Sequence, residues 1–373
     1  MGYCEIKSDN NAIKIFYTTY GNGPTKVLLI IGLAGTHESW GPQIKAFTGD
    51  EDPKKNDFQL CSFDNRGMGR SSVPTTKSDY TTTLMARDAI ALMDHLGWRK
   101  AHVIGHSMGA MISCKLAAMV PDRVLSLALL NVTGGGFECF PKIDRKMISL
   151  AIRFLKAKTP EQRAAVDLDT HYTKEYLDEY VGVQTRRTIL YQEYVKGISS
   201  SGMQSNFGFE GQINACWTHK LTSKEIEVIR CAGFLVSVIH GRHDIIAQMT
   251  HARKLAENLQ PFAKMVDLHG AHLVSHERPE EVNEALLGLI EASKQNLSPH
   301  EWSNLARKGS HELGVEILSG NGKEEKRFTF IRDFLKKLHL CILYVFGLFV
   351  MAFEQGRKIL TRQKLVRVSA TAS

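Results

Sequence analysis

The sequence lacks any arrangement of cysteines typical of a disulfide framework or of a zinc or redox motif. Its seven cysteines are odd in number and scattered, and no two form a C-x-x-C pair. Disulfide-dependent secreted domains and most structural zinc sites show the opposite pattern. The first ten residues also lack the basic start and apolar run of a secretory signal. We therefore expect an intracellular protein in a reducing compartment.

Excess positive charge is nearly absent from the first 300 residues. The whole chain has a net charge of +8, and residues 301–373, with 13 Lys or Arg against 7 Asp or Glu, supply +6 of it. A protein that binds nucleic acid through its main domain needs a basic face on that domain. The charge distribution therefore argues against a nucleic-acid partner.

The most apolar stretch of the chain is too short for a comfortable membrane crossing. Residues 340–353 contain no charge, and Lys and Arg flank them on both sides. As a helix these residues would be about 21 Å long, against roughly 30 Å for the hydrocarbon core of a bilayer. An interfacial or partly inserted helix satisfies the same pattern. We predict a cytoplasmic protein, or one that associates with a membrane surface through 340–353; packing of this helix on the protein itself is the alternative.

Strand and helix patterns alternate along the first 130 residues. Residues 3–20 predict a β-hairpin at a sheet edge, and Thr81–Leu96 shows helical spacing with Gly97 as its stop. Four short apolar runs are typical of buried parallel strands, namely Val27–Ile31, Phe58–Phe63, Ala101–Ile104 and Val124–Leu130. This alternation predicts an α/β fold with a mostly parallel, doubly wound sheet.

The alternation is interrupted once and then resumes. Residues 134–225 show no parallel-strand run and many aromatic residues, which indicates an inserted helical lid over an apolar pocket. A strand at Phe234–Ile239, a helix near 246–259, a strand at Lys264–Leu268 and a helix at 278–294 follow. We predict a core of residues 1–133 and 226–297, a lid of 134–225, and a basic tail of 298–373 with a helix at 340–353.

The strongest local motif is Gly105-His106-Ser107-Met108-Gly109. It follows an apolar run and opens the helical stretch 110–119. A serine on so sharp a strand-to-helix turn is raised above the sheet as a nucleophile, and the helix N-terminus favours the negative charge of acyl transfer. The motif alone also fits an ordinary turn, but this context makes Ser107 the candidate nucleophile.

A serine nucleophile needs a base and an acid that orients the base. Asp244 follows the predicted strand 234–239, and His272 follows the strand 264–268, so both reach the carboxyl edge of the sheet. A helix cap is the alternative role for Asp244, and His269 and His276 are rivals to His272 as base. His240 and His243 lie close to Asp244 in sequence, but no zinc spacing completes the group, and we predict no metal site.

The order Ser107, Asp244, His272 resembles that of the α/β-hydrolase-fold superfamily, in its esterase, lipase and aminoacrylate-hydrolase-like branch. The resemblance covers about residues 13–294 and includes 32–35, Ser39-Trp40 and 64–71. It implies that the backbone N–H groups of Leu33 and Met108 form an oxyanion hole. Ile31 stands where family members often have His, so the support of this loop is expected to differ.

The expected function is hydrolysis of a carboxylic ester or related acyl compound, through an acyl-enzyme and without a cofactor. The expected partner is a small, apolar ester or acyl substrate. A ligand receptor that keeps the fold with slow or vestigial turnover is one alternative, and a C–C bond hydrolase, which shares the layout, is another. A membrane scaffold with a vestigial site is a third.

Overall fold

The computed structural model of the protein describes residues 1–6, 12–49, 57–139, 141, 144–201 and 204–306. They belong to a compact unit, Met1–Arg307. The predicted tail helix at 340–353 lies outside the described residues. Within them, no helix is both long and apolar enough to cross a membrane.

Eight strands form one sheet in the order β1-β2-β4-β3-β5-β6-β9-β10, and β7 pairs with β8 in a separate hairpin. The strands are β1 Gly2–Ile6, β2 Ile13–Tyr20, β3 Thr25–Ile30, β4 Phe58–Phe63, β5 Ala101–His106, β6 Val124–Leu130, β7 Tyr180–Val181, β8 Gln184–Thr185, β9 Leu235–Gly241 and β10 Ala263–Leu268. β2 pairs antiparallel with β1 and β4, and all other neighbours in the large sheet are parallel. The predicted fold class is confirmed.

The α-helices of the described residues fall into three groups: those packed on the sheet, those inserted between β6 and β9, and short turns near the end. They are α1 Gly41–Thr48, α2 Thr82–His95, α3 Met108–Met119, α4 Arg145–Lys156, α5 Pro160–His171, α6 Lys174–Asp178, α7 Arg186–Ser201, α8 Asn206–Thr218, α9 Ser223–Cys231, α10 Met249–Asn258, α11 Val274–Glu277, α12 Pro279–Lys294 and α13 Pro299–Trp302. The segment between β6 and β9, which includes the predicted lid, is mainly helical.

Alternate side chains of the central strands enter two separate hydrophobic clusters. Leu28 and Ile30 of β3 pack on one face of the sheet with α2, α3, α9 and α10, whereas Val27 and Leu29 pack on the other with α1 and α12. Because both faces are covered, these strands are apolar throughout rather than alternating. The two-sided burial fixes the sheet as a rigid base for the loops at its carboxyl edge.

Those loops converge where the strand order reverses direction. β3 lies between β4 and β5, so the chain moves to one side of β3 and then crosses to the other. Open α/β sheets bind ligands outside the carboxyl ends of their strands at such a point. The loops after β3 and β5, which begin at Ile31 and Ser107, therefore meet at the expected place for a site.

Two boundaries differ from those predicted. The helix expected near 246–259 begins only at Met249, because the Asp244 carboxylate binds the N–H groups of Ile246 and Ala247 in a preceding turn. The segment 299–306, placed in the tail by sequence, packs on the sheet. Trp302 is buried and its Nε1 donates to the carbonyl of Val236 at 2.8 Å.

Candidate active site

Ser107 lies on a strained turn between β5 and α3. Its backbone angles, φ 55° and ψ −121°, are rarely adopted by residues other than glycine. A Cβ at Gly109 would lie 2.0 Å from the carbonyl oxygen of Ile30, and one at Gly105 would lie 2.4 Å from the carbonyl oxygen of Gly109. The two glycines of the motif are therefore required by close backbone approach on each side of the serine.

A chain of hydrogen bonds joins the three predicted triad residues. His272 Nε2 lies 3.0 Å from Ser107 Oγ, and His272 Nδ1 lies 2.8 Å from Asp244 Oδ2. Because a carboxylate only accepts, Nδ1 carries the proton and Nε2 offers its lone pair to the serine hydroxyl. The structure thus places Ser107, His272 and Asp244 in the relative positions that nucleophile, base and orienting acid require.

The Asp244 carboxylate is fully buried and uses both of its oxygens. Oδ2 also accepts a 2.7 Å hydrogen bond from Asn131 Nδ2, while Oδ1 accepts from two backbone N–H groups of its own turn. Burial alone would raise its pKa, but His272, His240 and Asn131 outweigh that effect and lower the pKa to about 2. The capping alternative and the triad role are thus compatible, since each uses a different oxygen.

Two further histidines flank His272 and stay neutral. The His106 ring lies 5.0 Å from that of His272, and His106 Nε2 donates to the His272 carbonyl at 2.8 Å. On the inserted helices, the His171 ring lies 5.9 Å from the His272 ring. Burial, reinforced by repulsion from His272, lowers the pKa of both to about 3. Any positive charge at the site is therefore confined to His272.

The loop after β3 approaches Ser107 closely. A Cβ at Gly32 would lie 3.0 Å from that of Ser107, so only glycine fits without displacement. Within the described residues, the N–H groups of Leu33 and Met108 have no hydrogen-bond partner. Two unpaired donors next to the serine are what an oxyanion hole requires. Both N–H groups of the predicted pair are therefore free to donate hydrogen bonds to an oxyanion.

Sequence reasoning missed the residue that supports this loop from the inserted helices. Gln212 of α8 is fully buried; its Oε1 accepts the Ala34 N–H at 3.0 Å, and its Nε2 donates to the Arg66 carbonyl at 3.0 Å. Ala34 has a positive φ of 60°, which costs free energy in a non-glycine residue. From the opposite side, Asn65 donates to the Ile31 carbonyl at 2.8 Å. The loop is held by these two amides.

A buried carboxylate connects the loop of His272 to the inserted segment. Glu277 accepts the Ala271 N–H at 2.9 Å and a hydrogen bond from the Thr173 hydroxyl, and the Leu273 N–H donates to the His171 carbonyl at 3.0 Å. Neither Glu277 nor Thr173 belongs to a recognisable motif. No local signal in the sequence identifies them, because their pairing depends on contact between distant segments.

The rival histidines have other partners. His276 Nε2 donates to the Ser39 carbonyl at 2.6 Å, and His269 pairs with His243 at the surface, 3.1 Å apart. His240 Nε2 donates to the Ala247 carbonyl at 2.9 Å. Among the residues that the structure describes, no group of three His, Cys, Asp or Glu side chains is arranged to hold a metal.

Several aromatic side chains of the predicted lid pack on one another. Tyr172 and Tyr176 stack with ring centroids 5.5 Å apart, and Phe154 stacks on Phe209 at 5.9 Å. Tyr172 belongs to a small hydrophobic cluster that Leu273, the neighbour of His272, joins. Through Tyr172 and Leu273, this cluster packs the inserted helices against the loop that contains His272. Phe140, also assigned to the lid, lies outside the described residues.

A profile of the alpha/beta hydrolase fold matches residues 26–279. The chain belongs to the α/β-hydrolase-fold family. The matched range contains the elbow, the loop after β3 and all three residues of the hydrogen-bonded chain, so the family assignment and the site geometry concern the same part of this α/β hydrolase.

Named relatives of this α/β hydrolase span several activities. The chain is 26% identical over 277 residues to a protein named as a carbamate hydrolase, RutD, of Azorhizobium caulinodans, covering 74% of this chain and 94% of the relative. It is 26% identical to one named as a non-heme bromoperoxidase, BpoC, of Mycobacterium tuberculosis, covering 76% of this chain and 99% of the relative. The solved enol-lactonase of Burkholderia xenovorans superimposes with a TM-score of 0.60 at 22% identity, over 75% of this chain and 97% of the other.

Proposed function

We propose that this α/β hydrolase is a serine hydrolase that cleaves a carboxylic ester or related acyl compound through an acyl-enzyme. The observation that carries the proposal is the continuous chain Asp244, His272, Ser107, with donor–acceptor distances of 2.8 and 3.0 Å. It ends on a serine held in a strained turn beside two unpaired backbone N–H groups. Nucleophilic acyl transfer uses all of these features.

In the first step, Ser107 Oγ bonds to the acyl carbon as its proton passes to His272 Nε2. The carbonyl oxygen becomes an oxyanion, which the N–H groups of Leu33 and Met108 stabilise. The bond between the acyl carbon and the leaving group then breaks, and the leaving group takes the proton from His272. Asp244, ionised because of its low pKa, stabilises the imidazolium that exists between these events.

In the second step, His272 Nε2 removes a proton from water, whose oxygen attacks the acyl carbon. A second oxyanion forms at the same donors and collapses with cleavage of the bond to Ser107 Oγ, which regains its proton from His272. The product is a carboxylic acid, or a carbamic acid where the acyl group comes from a carbamate. Because the chain is similar to a protein named as a carbamate hydrolase, the proposed substrate class includes carbamates.

The test is hydrolysis of p-nitrophenyl esters of increasing acyl length by the wild type and by Ser107→Ala. We expect kcat/KM to fall by about 10⁴-fold or more, because the remaining oxyanion donors act without a nucleophile. Ser113→Ala is the matched control. It removes a buried hydroxyl of the adjoining helix, which donates to the Gly109 carbonyl, and should retain most of the activity.

Labelling by a fluorophosphonate probe separates the alternatives. An acyl-transfer enzyme labels at Ser107 and turns over the preferred ester many times. A ligand receptor would label but turn over slowly, and a scaffold with a vestigial site would not label. Equal turnover by wild type and Ser107→Ala would contradict the proposal directly.

A further inference from the structure

The helix α4 of the inserted segment has more apolar surface than the protein buries. Met147, Leu150 and Phe154, spaced i, i+3, i+7, lie on the side that faces the protein, and Leu150 is buried. On the adjoining side, Ile148 and Ile152 are separated by one turn, with Leu155 one turn further on. The helix therefore has a second apolar face beside the one that the protein buries.

The second apolar face is open in the structure. Ile148, Ile152 and Leu155 have exposed fractions of 51%, 47% and 53%. A helix on the surface of a globular protein usually turns polar residues outward. Here three exposed positions of the helix are occupied by branched apolar side chains, which marks the face as a site for a partner rather than for water.

All four charged residues of the same helix are basic. Arg145 and Lys156, three turns apart, line one edge of the open apolar face, and Lys146 adds a further exposed cation. The fourth, Arg153, pairs with Asp169 at 2.8 Å, whereas none of these three forms an ion pair with any residue of the described ranges. The acidic residue at its start, Asp144, is engaged as the helix cap, accepting the Met147 N–H at 2.7 Å. The open face therefore carries unneutralised positive charge beside an apolar stripe.

The first turn of α4 lies beside the loop of the triad acid. A cavity of about 310 Å³ is lined on one side by Lys146 and Met147, and on the other by Asp244, Ile245 and Met249. A surface that contacts α4 therefore lies on the same side of the protein as the candidate active site.

We propose that α4 docks the protein on an anionic lipid bilayer surface, with Ile148, Ile152 and Leu155 in the acyl boundary and Arg145 and Lys156 at the headgroups. Apolar and basic residues segregated on one helix give this mode of binding, which adds electrostatic attraction to the burial of a few side chains. The proposal concerns residues distinct from those of the predicted tail segment 340–353.

A second copy of the chain fits this face less well. Two α4 helices would bring their basic residues together with only the capping Asp144 of each helix to compensate them, which costs free energy. Three side chains also fall well short of the roughly 800 Å² that each partner buries in a standard interface. A bilayer needs neither an acidic partner residue nor a large patch.

The experiment is flotation of the full chain with vesicles of phosphatidylcholine alone or with about one third phosphatidylglycerol. We expect binding to the anionic vesicles that weakens as salt is raised. The double substitution Ile148→Asp and Ile152→Asp should reduce the partition coefficient at least tenfold. Val183→Asp is the matched control, because Val183 is 95% exposed and belongs to the β7–β8 hairpin rather than to α4, and the variant should bind as the wild type does.

A fluorophore at position 152 separates α4 from the tail. It is attached to Ile152→Cys in a chain with Cys231 and Cys341 replaced by serine, and we expect its emission to shift to the blue on anionic vesicles. Absence of wild-type binding, equal binding by the double variant, or an unshifted fluorophore on bound protein would each overturn the proposal. Dimerisation that the double variant abolishes, without vesicle binding, would assign the face to a second copy instead. None of these outcomes depends on ester hydrolysis.

Discussion

The sheet edge and the inserted helices hold the candidate active site by different means. At the sheet edge, Ser107 is fixed by backbone crowding, since Gly105 and Gly109 have no room for a side chain. The inserted helices act through a few long-range polar contacts, namely Gln212 to the loop after β3 and Thr173 to Glu277 beside His272. Substitutions in the first region should therefore affect folding and activity together, and those in the second should affect activity more selectively.

The largest expected effect is that of Gly109→Ala at the sheet edge. The added Cβ would lie 2.0 Å from the Ile30 carbonyl oxygen and 2.7 Å from that of Ile31, so α3 must move away from β3. We expect the free energy of unfolding to fall by about 3 kcal/mol or more, and activity to be lost with it. Urea denaturation and ester hydrolysis on the same sample measure both quantities.

Gly288→Ala is the matched control for that substitution. Gly288 lies within α12, and an added Cβ there meets no atom within 4 Å. Alanine should raise the free energy of unfolding by about 0.5–1 kcal/mol, because it restricts the unfolded chain and favours helix. A Gly109→Ala protein as stable as the wild type would show that crowding does not fix the elbow.

The second prediction concerns the inserted helices. Gln212→Leu keeps the side-chain size but leaves the Ala34 N–H and the Arg66 carbonyl without their partner. We expect kcat to fall about 10- to 100-fold, because a small displacement of the loop misplaces the Leu33 N–H relative to the oxyanion. KM should change less than kcat, since the loss appears mainly in the transition state. Steady-state kinetics with one preferred ester provide the measurement.

Asn214→Ala tests whether this effect is specific. Asn214 lies on the same helix and donates to the carbonyls of Lys77 and Tyr80, both at 3.1 Å, rather than to the loop after β3. Its loss should reduce stability modestly and leave kcat within about twofold of the wild type. If both variants lost kcat equally, general loosening of α8 would explain the result, and the positioning role of Gln212 would be wrong.

The same contrast explains what could be predicted from the sequence. The strands and the elbow are encoded locally, because continuous apolar runs specify buried strands and G-x-S-x-G is contiguous. The positions of Asp244 and His272 directly after strands predict that both lie at the carboxyl edge of the sheet. Gln212, by contrast, lies 178 residues from its partner Ala34, and Thr173 lies 104 residues from Glu277. Contacts of that kind have no sequence period, so only the folded chain shows them.

The smallest expected effect concerns the pH dependence of kcat/KM, to which groups of both the sheet edge and the inserted helices contribute. Low pKa values, about 3 for His106 and His171 and about 2 for Asp244, leave all three with constant charge between about pH 4 and pH 8. The acid side of the pH profile of kcat/KM should therefore show a single titration.

His171→Gln tests the contribution of the inserted helices to that profile. A charged His171 would repel the His272 imidazolium, so its removal would shift the acid limb to higher pH by making protonation of His272 easier. Because burial keeps His171 neutral, we expect no shift, and a loss in kcat/KM of less than about tenfold. An acid limb that moved upward in His171→Gln would show that His171 is charged in the working enzyme, and that the inserted helices act on the site electrostatically as well as by position.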